Sequence, residues 1–179
     1  MHSGTKHSQS SVRAGLLSLL FGLGTASVLV GQVAPTPTPA RPAAPYALRS
    51  AQALADLVSS LQANPHTADI LRSNKLPYTV SVVSEKAAVA AEYETHDTRD
   101  HIVLVLEGTT HFELGGEAEK VRQVGPGDWR AASVKGSESV TLVKGDFLAI
   151  PRGTVHRRST KESVVMLMIS VSGGAPPTP

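Results

Sequence analysis

Cysteine is absent from the 179 residues, which closes off disulfides, thiolate nucleophiles and thiolate metal ligands together. Any metal must be held by nitrogen and oxygen donors. Aromatic residues are scarce, with three Phe, three Tyr and one Trp, so Val, Leu, Ile and Ala must build the core. Acidic residues are missing from the first part of the chain, with none before Asp56. Lys6 and Arg13 lie in that stretch; without them the 17 basic residues fall to 15, level with the 15 acidic ones. The formal charge of +2 is thus a property of the N-terminus. No basic stripe follows beyond the Arg157-Arg158 pair, so a nucleic-acid partner is not expected.

The first residues read as an address. Residues 1–13 are polar, residues 14–30 are uncharged and apolar, and a tract rich in Pro and Ala follows. A positive start, an apolar run and the small residues Gly31 and Ala34 have the form of a secretory signal peptide. The apolar run also approaches the roughly 17–25 residues that span a bilayer, so an uncleaved N-terminal anchor is the alternative. No cysteine follows the run, which excludes a lipoprotein. We expect a leader or anchor over 1–34 and an extended Pro/Ala-rich linker over 35–47. The mature protein is expected to be secreted or periplasmic, meeting a membrane only through an uncleaved N-terminal segment.

A short helical segment is expected over 48–76. Leu54, Leu57, Val58 and Leu61 recur at helical spacing, Ser50 can cap the start, and Asn64-Pro65 stops it. A second helical turn is expected over 67–73. From Tyr78 the character changes to short β runs at 78–84, 88–96, 101–107, 111–114, 139–143, 147–150, 155–159 and 164–171, divided by Gly-containing turns. Many short strands with no helix between them argue for an all-β jelly-roll barrel over 77–173, with a flexible tail over 174–179. His101-Ile102-Val103-Leu104-Val105-Leu106 is apolar on both faces after its first residue, which predicts a central strand. One face lines the interior; the other needs the helix or a second subunit as cover, so a homodimer is expected.

The densest local signal is Gly145-Asp146-Phe147-Leu148-Ala149-Ile150-Pro151-Arg152-Gly153-Thr154-Val155-His156: a strand, a Pro-x-Gly turn, then a histidine opening the next strand. The stretch resembles the second motif of the cupin family: glycine, five residues, Pro-x-Gly, two residues, His. The resemblance implies that His156 is a metal ligand; Thr160 stands where that family usually has a non-ligating Asn. The family's first motif is His-x-His, four residues, Glu, six residues, Gly. Anchored on Gly108, its spacings fall on Glu94, His96 and His101, so the chain reads Glu-x-His-x4-His-x6-Gly. Ligand types are exchanged between positions, and with His156 the set still holds three imidazoles and one carboxylate. The resemblance therefore implies a double-stranded β-helix (cupin) barrel with a metal site of Glu94, His96, His101 and His156.

Strand geometry agrees, since residues two apart share a face and Glu94 and His96 project together with Ala88 and Ala90. Buried groups of this kind must be paired or must hold a cation; a hydrogen-bonded His–Glu cluster without metal is the alternative. Imidazole and carboxylate suit divalent Fe, Mn, Ni, Zn or Cu without choosing among them. An ion held by four protein groups keeps positions open for a ligand, as a catalytic site requires. Two function classes follow for this expected secreted, metal-binding cupin: a metal-dependent oxygenase, isomerase or lyase acting on a small polar molecule, or a non-catalytic module that binds or senses a small ligand. His111 and Glu113 are expected on a wet strand face, Trp129 in a loop, and Arg99-Asp100 in a local turn pair.

Overall fold

The computed structural model describes residue 41 and residues 45–174. The expected leader over 1–34, most of the linker over 35–47 and the tail beyond Gly174 lie outside the described residues. Ser50 opens the one helix among them, α1 (Ala51–Ala63). Its Oγ accepts from the Ala53 N–H at 3.1 Å, satisfying a donor that a helix start leaves unpaired. Asn64 ends the helix, and Pro65 lacks the N–H needed to extend it. Ser84 Oγ donates to the Leu61 carbonyl at 2.9 Å, pinning the far end of α1 to the sheet.

The helical turn expected over 67–73 is instead a strand, β1 (Thr67–Leu71), antiparallel to β2 (Tyr78–Val89). So short a helix has few internal hydrogen bonds to offset its nucleation cost. The ladder with β2 pairs those backbone groups, turns Ala68 and Ile70 onto the helix layer, and lets Asp69 accept from Ser81 Oγ at 2.9 Å.

Nine strands follow β2: β3 (Tyr93–His96), β4 (Arg99–Leu114), β5 (Glu117–Glu119), β6 (Arg122–Gly125), β7 (Asp128–Ala131), β8 (Ser133–Lys135), β9 (Glu138–Val143), β10 (Phe147–Ile150) and β11 (His156–Ser172). Their pairings are antiparallel throughout. Long β11 lies between β2 and β4 and touches β3 through its first residue. Beyond β3 come β7 and β6; β9 and β10 share the other edge of β4, and β5 pairs with β8 apart from the main sheet. This is the all-β jelly roll that the motifs imply.

Three gaps between expected strands are bridged, and the strand expected over 88–96 is interrupted between Val89 and Tyr93. β2 runs unbroken through residues 85–87. β4 runs unbroken through Gly108, and β11 through residues 160–163. The ladder shifts register there, and Gly108 takes φ 81° where any Cβ would collide with the Ser163 carbonyl.

Alternation along β11 divides the apolar residues into two layers. Val164, Met166 and Met168 point inward to Val103, Val105, Phe112 and Ile150. Val165 and Leu167 point outward to Leu61, Val82 and Leu106 under α1. Helix α1 is thus the cover that Leu106 requires.

Candidate metal centre

Three histidines from separate strands meet at one end of the inner layer. His96 closes β3, His101 is the third residue of β4, and His156 opens β11. The Pro-x-Gly turn delivers His156: Gly153 takes φ 81° and its N–H donates to the His96 carbonyl at 2.8 Å, tying the turn to β3. One ring nitrogen from each histidine lies within 4.8 Å of the others, and ring centroids are 5.0, 5.5 and 5.6 Å apart. His96 and His156 are each only 4% exposed.

Glu94 stands beside this cluster. It is paired in register with His156, its Oε1 lies 3.3 Å from His156 Nε2, and its Oε2 meets Arg130 Nη2 at 3.0 Å. The three imidazoles form the close group, and the carboxylate adjoins it through His156.

The Nδ1 atoms face outer partners: Asp128 Oδ1 at 2.7 Å for His96, Ser170 Oγ at 3.0 Å for His101, and the Thr154 carbonyl at 2.9 Å for His156. His96 Nε2 is buried without any hydrogen-bond partner, an arrangement that costs free energy unless something accepts its lone pair. A divalent cation does so. The donor set therefore fits a metal ion, held by Nε2 of His96 together with His101 and His156.

Electrostatics keep these groups in the ligating state. Burial pushes the His101 imidazole down to about 4, helped by the neighbouring His156, His96 and Arg99. Burial likewise lowers His96, with Arg99 and His156 adding to it and Asp128 opposing. The hydrogen bond to His156 holds Glu94 down to about 2 against its own burial, with Arg130 assisting. Two imidazoles held toward their neutral form, His96 and His101, beside an ionised carboxylate suit metal binding.

A cavity of about 680 Å³ opens beside the cluster, within the size range of small-molecule sites. Val103, Phe112, Ile150 and Met168 form its apolar wall; Glu94, His101, His156 and Arg130 supply polar groups. Ala88 and Ala90 line it, but so do Val89, Ala91 and Glu92: β2 ends at Val89 and β3 begins at Tyr93, so no single strand carries the expected alternation with Glu94 and His96.

Other expectations need correction. Arg99 and Asp100 do not form a local turn pair: Arg99 binds Asp128, while Asp100 accepts from the Arg152 backbone at 2.7 Å and from its guanidinium. Those contacts fasten the start of β4 to the turn before His156. Glu113 is not a free surface acid, because it accepts from the Tyr93 hydroxyl and from Arg157 at 2.7 Å. Trp129 lies in β7 rather than a loop, with Nε1 donating to Asp97 at 2.9 Å. Asp128, Arg130 and Ser170 were not singled out by sequence, since each meets its histidine or glutamate only through strand register.

The JmjC domain model matches residues 56–178, and the chain belongs to that family and, with it, to the cupin superfamily. No curated protein matches the chain by sequence. Solved structures similar to it include a protein from Neisseria meningitidis, 16% identical, with 65% of this chain and 97% of that one covered at a TM-score of 0.44. A cupin-2 domain protein from Shewanella frigidimarina is 22% identical, covering 67% of this chain and 92% of that one at 0.43. Hydroquinone 1,2-dioxygenase from a Sphingomonas species is 17% identical, covering 66% and 74% at 0.47. The likeness is one of fold.

Proposed function

We propose, from that membership and from the converging imidazoles, that the chain is a metal-dependent enzyme, an oxygenase, isomerase or lyase acting on a small polar molecule in the barrel. His96, His101 and His156 are its nitrogen donors and Glu94 its carboxylate donor. The observation that carries the reading is the buried, unpartnered Nε2 of His96 beside two further imidazoles at the head of a cavity. Once bound, a divalent Fe, Mn, Ni, Zn or Cu ion would polarise a substrate oxygen or bind dioxygen. The chain's own residues do the rest. Val103, Phe112, Ile150 and Met168 hold the carbon skeleton and exclude water. Glu94, ionised and steadied by Arg130 on Oε2, would offer Oε1 as the atom that takes a substrate proton if displaced from the ion.

A second reading has its own support. The cavity's arginines are already engaged: Arg130 with Glu94, Arg157 with Glu113 and Arg158 with Glu85. No spare acid–base pair stands free among these groups, which favours a module that binds or senses a small ligand without turning it over.

Metal analysis of untagged protein decides the site. We expect about one divalent ion per chain in the wild type and little in His101→Ala or His156→Ala; equal metal in all three sinks the ligand set. Dioxygen uptake and product analysis across small acids and phenols then separate the classes. Turnover supports the enzyme, and binding without turnover supports the module.

The reading includes export, supported by the charge and hydropathy pattern of residues 1–34. Among the described residues no helix is long and apolar enough to cross a membrane. N-terminal sequencing of the mature protein should begin near residue 35, and an intact N-terminus would contradict cleavage. It also includes a homodimer, supported by Phe147, 62% exposed on β10 beside β4. Light scattering should return twice the chain mass.

A further inference from the structure

We propose that Asp128 is the positioning residue of this centre: it locks the His96 ring with Nε2 bare toward the site and makes His96 the anchoring ligand. The proposal rests on the metal reading above and assigns a residue that no motif marks. Its basis is the contrast among the three outer partners. Ser170 offers His101 a hydroxyl, which can donate or accept, so either ring tautomer satisfies it. Thr154 offers His156 a carbonyl, which also only accepts and so sets the same tautomer, but without a charge behind the ring. Asp128 alone offers an anion, and an ionised carboxylate only accepts; at 2.7 Å it draws the hydrogen onto His96 Nδ1 in competition with Arg99, which can only donate and lies farther off at 2.9 Å. The lone pair is then on Nε2, the buried atom that lacks a partner. A carboxylate behind a ligating imidazole also raises that ring's basicity.

The pair is built into the fold. Asp128 stands directly opposite His96 in the β3–β7 ladder. The Asp97 N–H donates to the Gly127 carbonyl at 2.8 Å, and Trp129 Nε1 donates to Asp97, so both neighbours of the pair are fixed. Arg99 donates to the same Asp128 oxygen from the other side and lies 2.9 Å from His96 Nδ1. The carboxylate is thus held from two directions, which leaves the ring one orientation to match.

The test uses the full chain with cobalt(II) as probe. In metal-free protein, nitrogen NMR of the imidazoles should show His96 as the single Nδ1–H tautomer. Asp128→Asn should give a mixture and weaken cobalt binding about 10- to 100-fold, the usual effect of losing an outer partner. Ser170→Ala should change it by less than about threefold. Cobalt affinity within twofold of wild type in Asp128→Asn, with His96→Ala losing binding, overturns the proposal. A wild-type His96 carrying its hydrogen on Nε2 overturns it as well, and needs no variant to fold. Absence of cobalt binding by the wild type would instead defeat the underlying metal reading, while the tautomer still decides whether Asp128 sets the ring.

Discussion

One strand, β11, passes through two chemically opposite environments. From Val164 to Met166 its side chains are carbon and sulfur, buried on both faces and satisfied by contact alone. From His156 to Arg158 every side chain titrates or is charged, and each has a specific partner: Glu94 for His156, Glu113 for Arg157, Glu85 for Arg158. Dispersion and apolar burial are non-directional, so the first half tolerates small shifts. Charged hydrogen bonds are directional, and a partner removed from a buried site leaves a costly orphan. Stability and binding therefore reside in different halves of one strand, and substitutions should separate them.

The largest separation should come from His156→Ala. Metal content of the purified protein should fall to background, while the metal-free protein unfolds in denaturant within about 1–3 kcal/mol of wild type, because the Glu94 carboxylate left behind is 37% exposed and keeps Arg130. Leu61→Ala should do the reverse. Leu61 is fully buried under the outer layer, so truncation should cost about 2–5 kcal/mol while metal affinity stays within about twofold. A Leu61→Ala protein that folds but loses metal would break the division between the halves.

An intermediate effect is expected from pH. The folded His101 imidazole is lowered to about 4, whereas an unfolded histidine titrates near 6.5. The unfolded chain thus takes up protons first on acidification. His101's contribution is complete above about pH 6.5, declines as pH falls toward 4, and changes no further below that; over the window it amounts to up to about 3 kcal/mol. Denaturation of metal-free protein across pH 4–7 should show this slope, and His101→Gln should flatten it. The smallest effect should be at the helix end: Ser84→Ala removes the hydrogen bond to the Leu61 carbonyl and should cost about 1 kcal/mol without touching the metal.

Legibility differed between the same regions. Helix α1 could be read almost to the residue, because Ser50 and Asn64-Pro65 are local signals with local mechanisms. His156 stood out for the same reason, since its Pro-x-Gly turn is complete within a dozen residues. What could not be read depends on pairing. Residues 67–71 carry no strong local preference, and only the ladder with β2 makes them a strand. The short, polar β5 to β8 have too few residues for periodicity to show. Gly108 looked like a break because the register shift against β11 that requires a glycine lies 55 residues away at Ser163. Asp128 was invisible as a partner of His96 until β3 and β7 were aligned.

On the proposed reading, three imidazoles and the adjoining Glu94 carboxylate converge on one ion. X-ray absorption at the edge of the metal that copurifies with the untagged protein tests this most directly. The expected spectrum has a first shell at about 2.0–2.2 Å that includes three imidazole nitrogens and a carboxylate oxygen, with outer-ring imidazole scattering beyond it. Oxygen-only coordination, with no imidazole scattering, would contradict it.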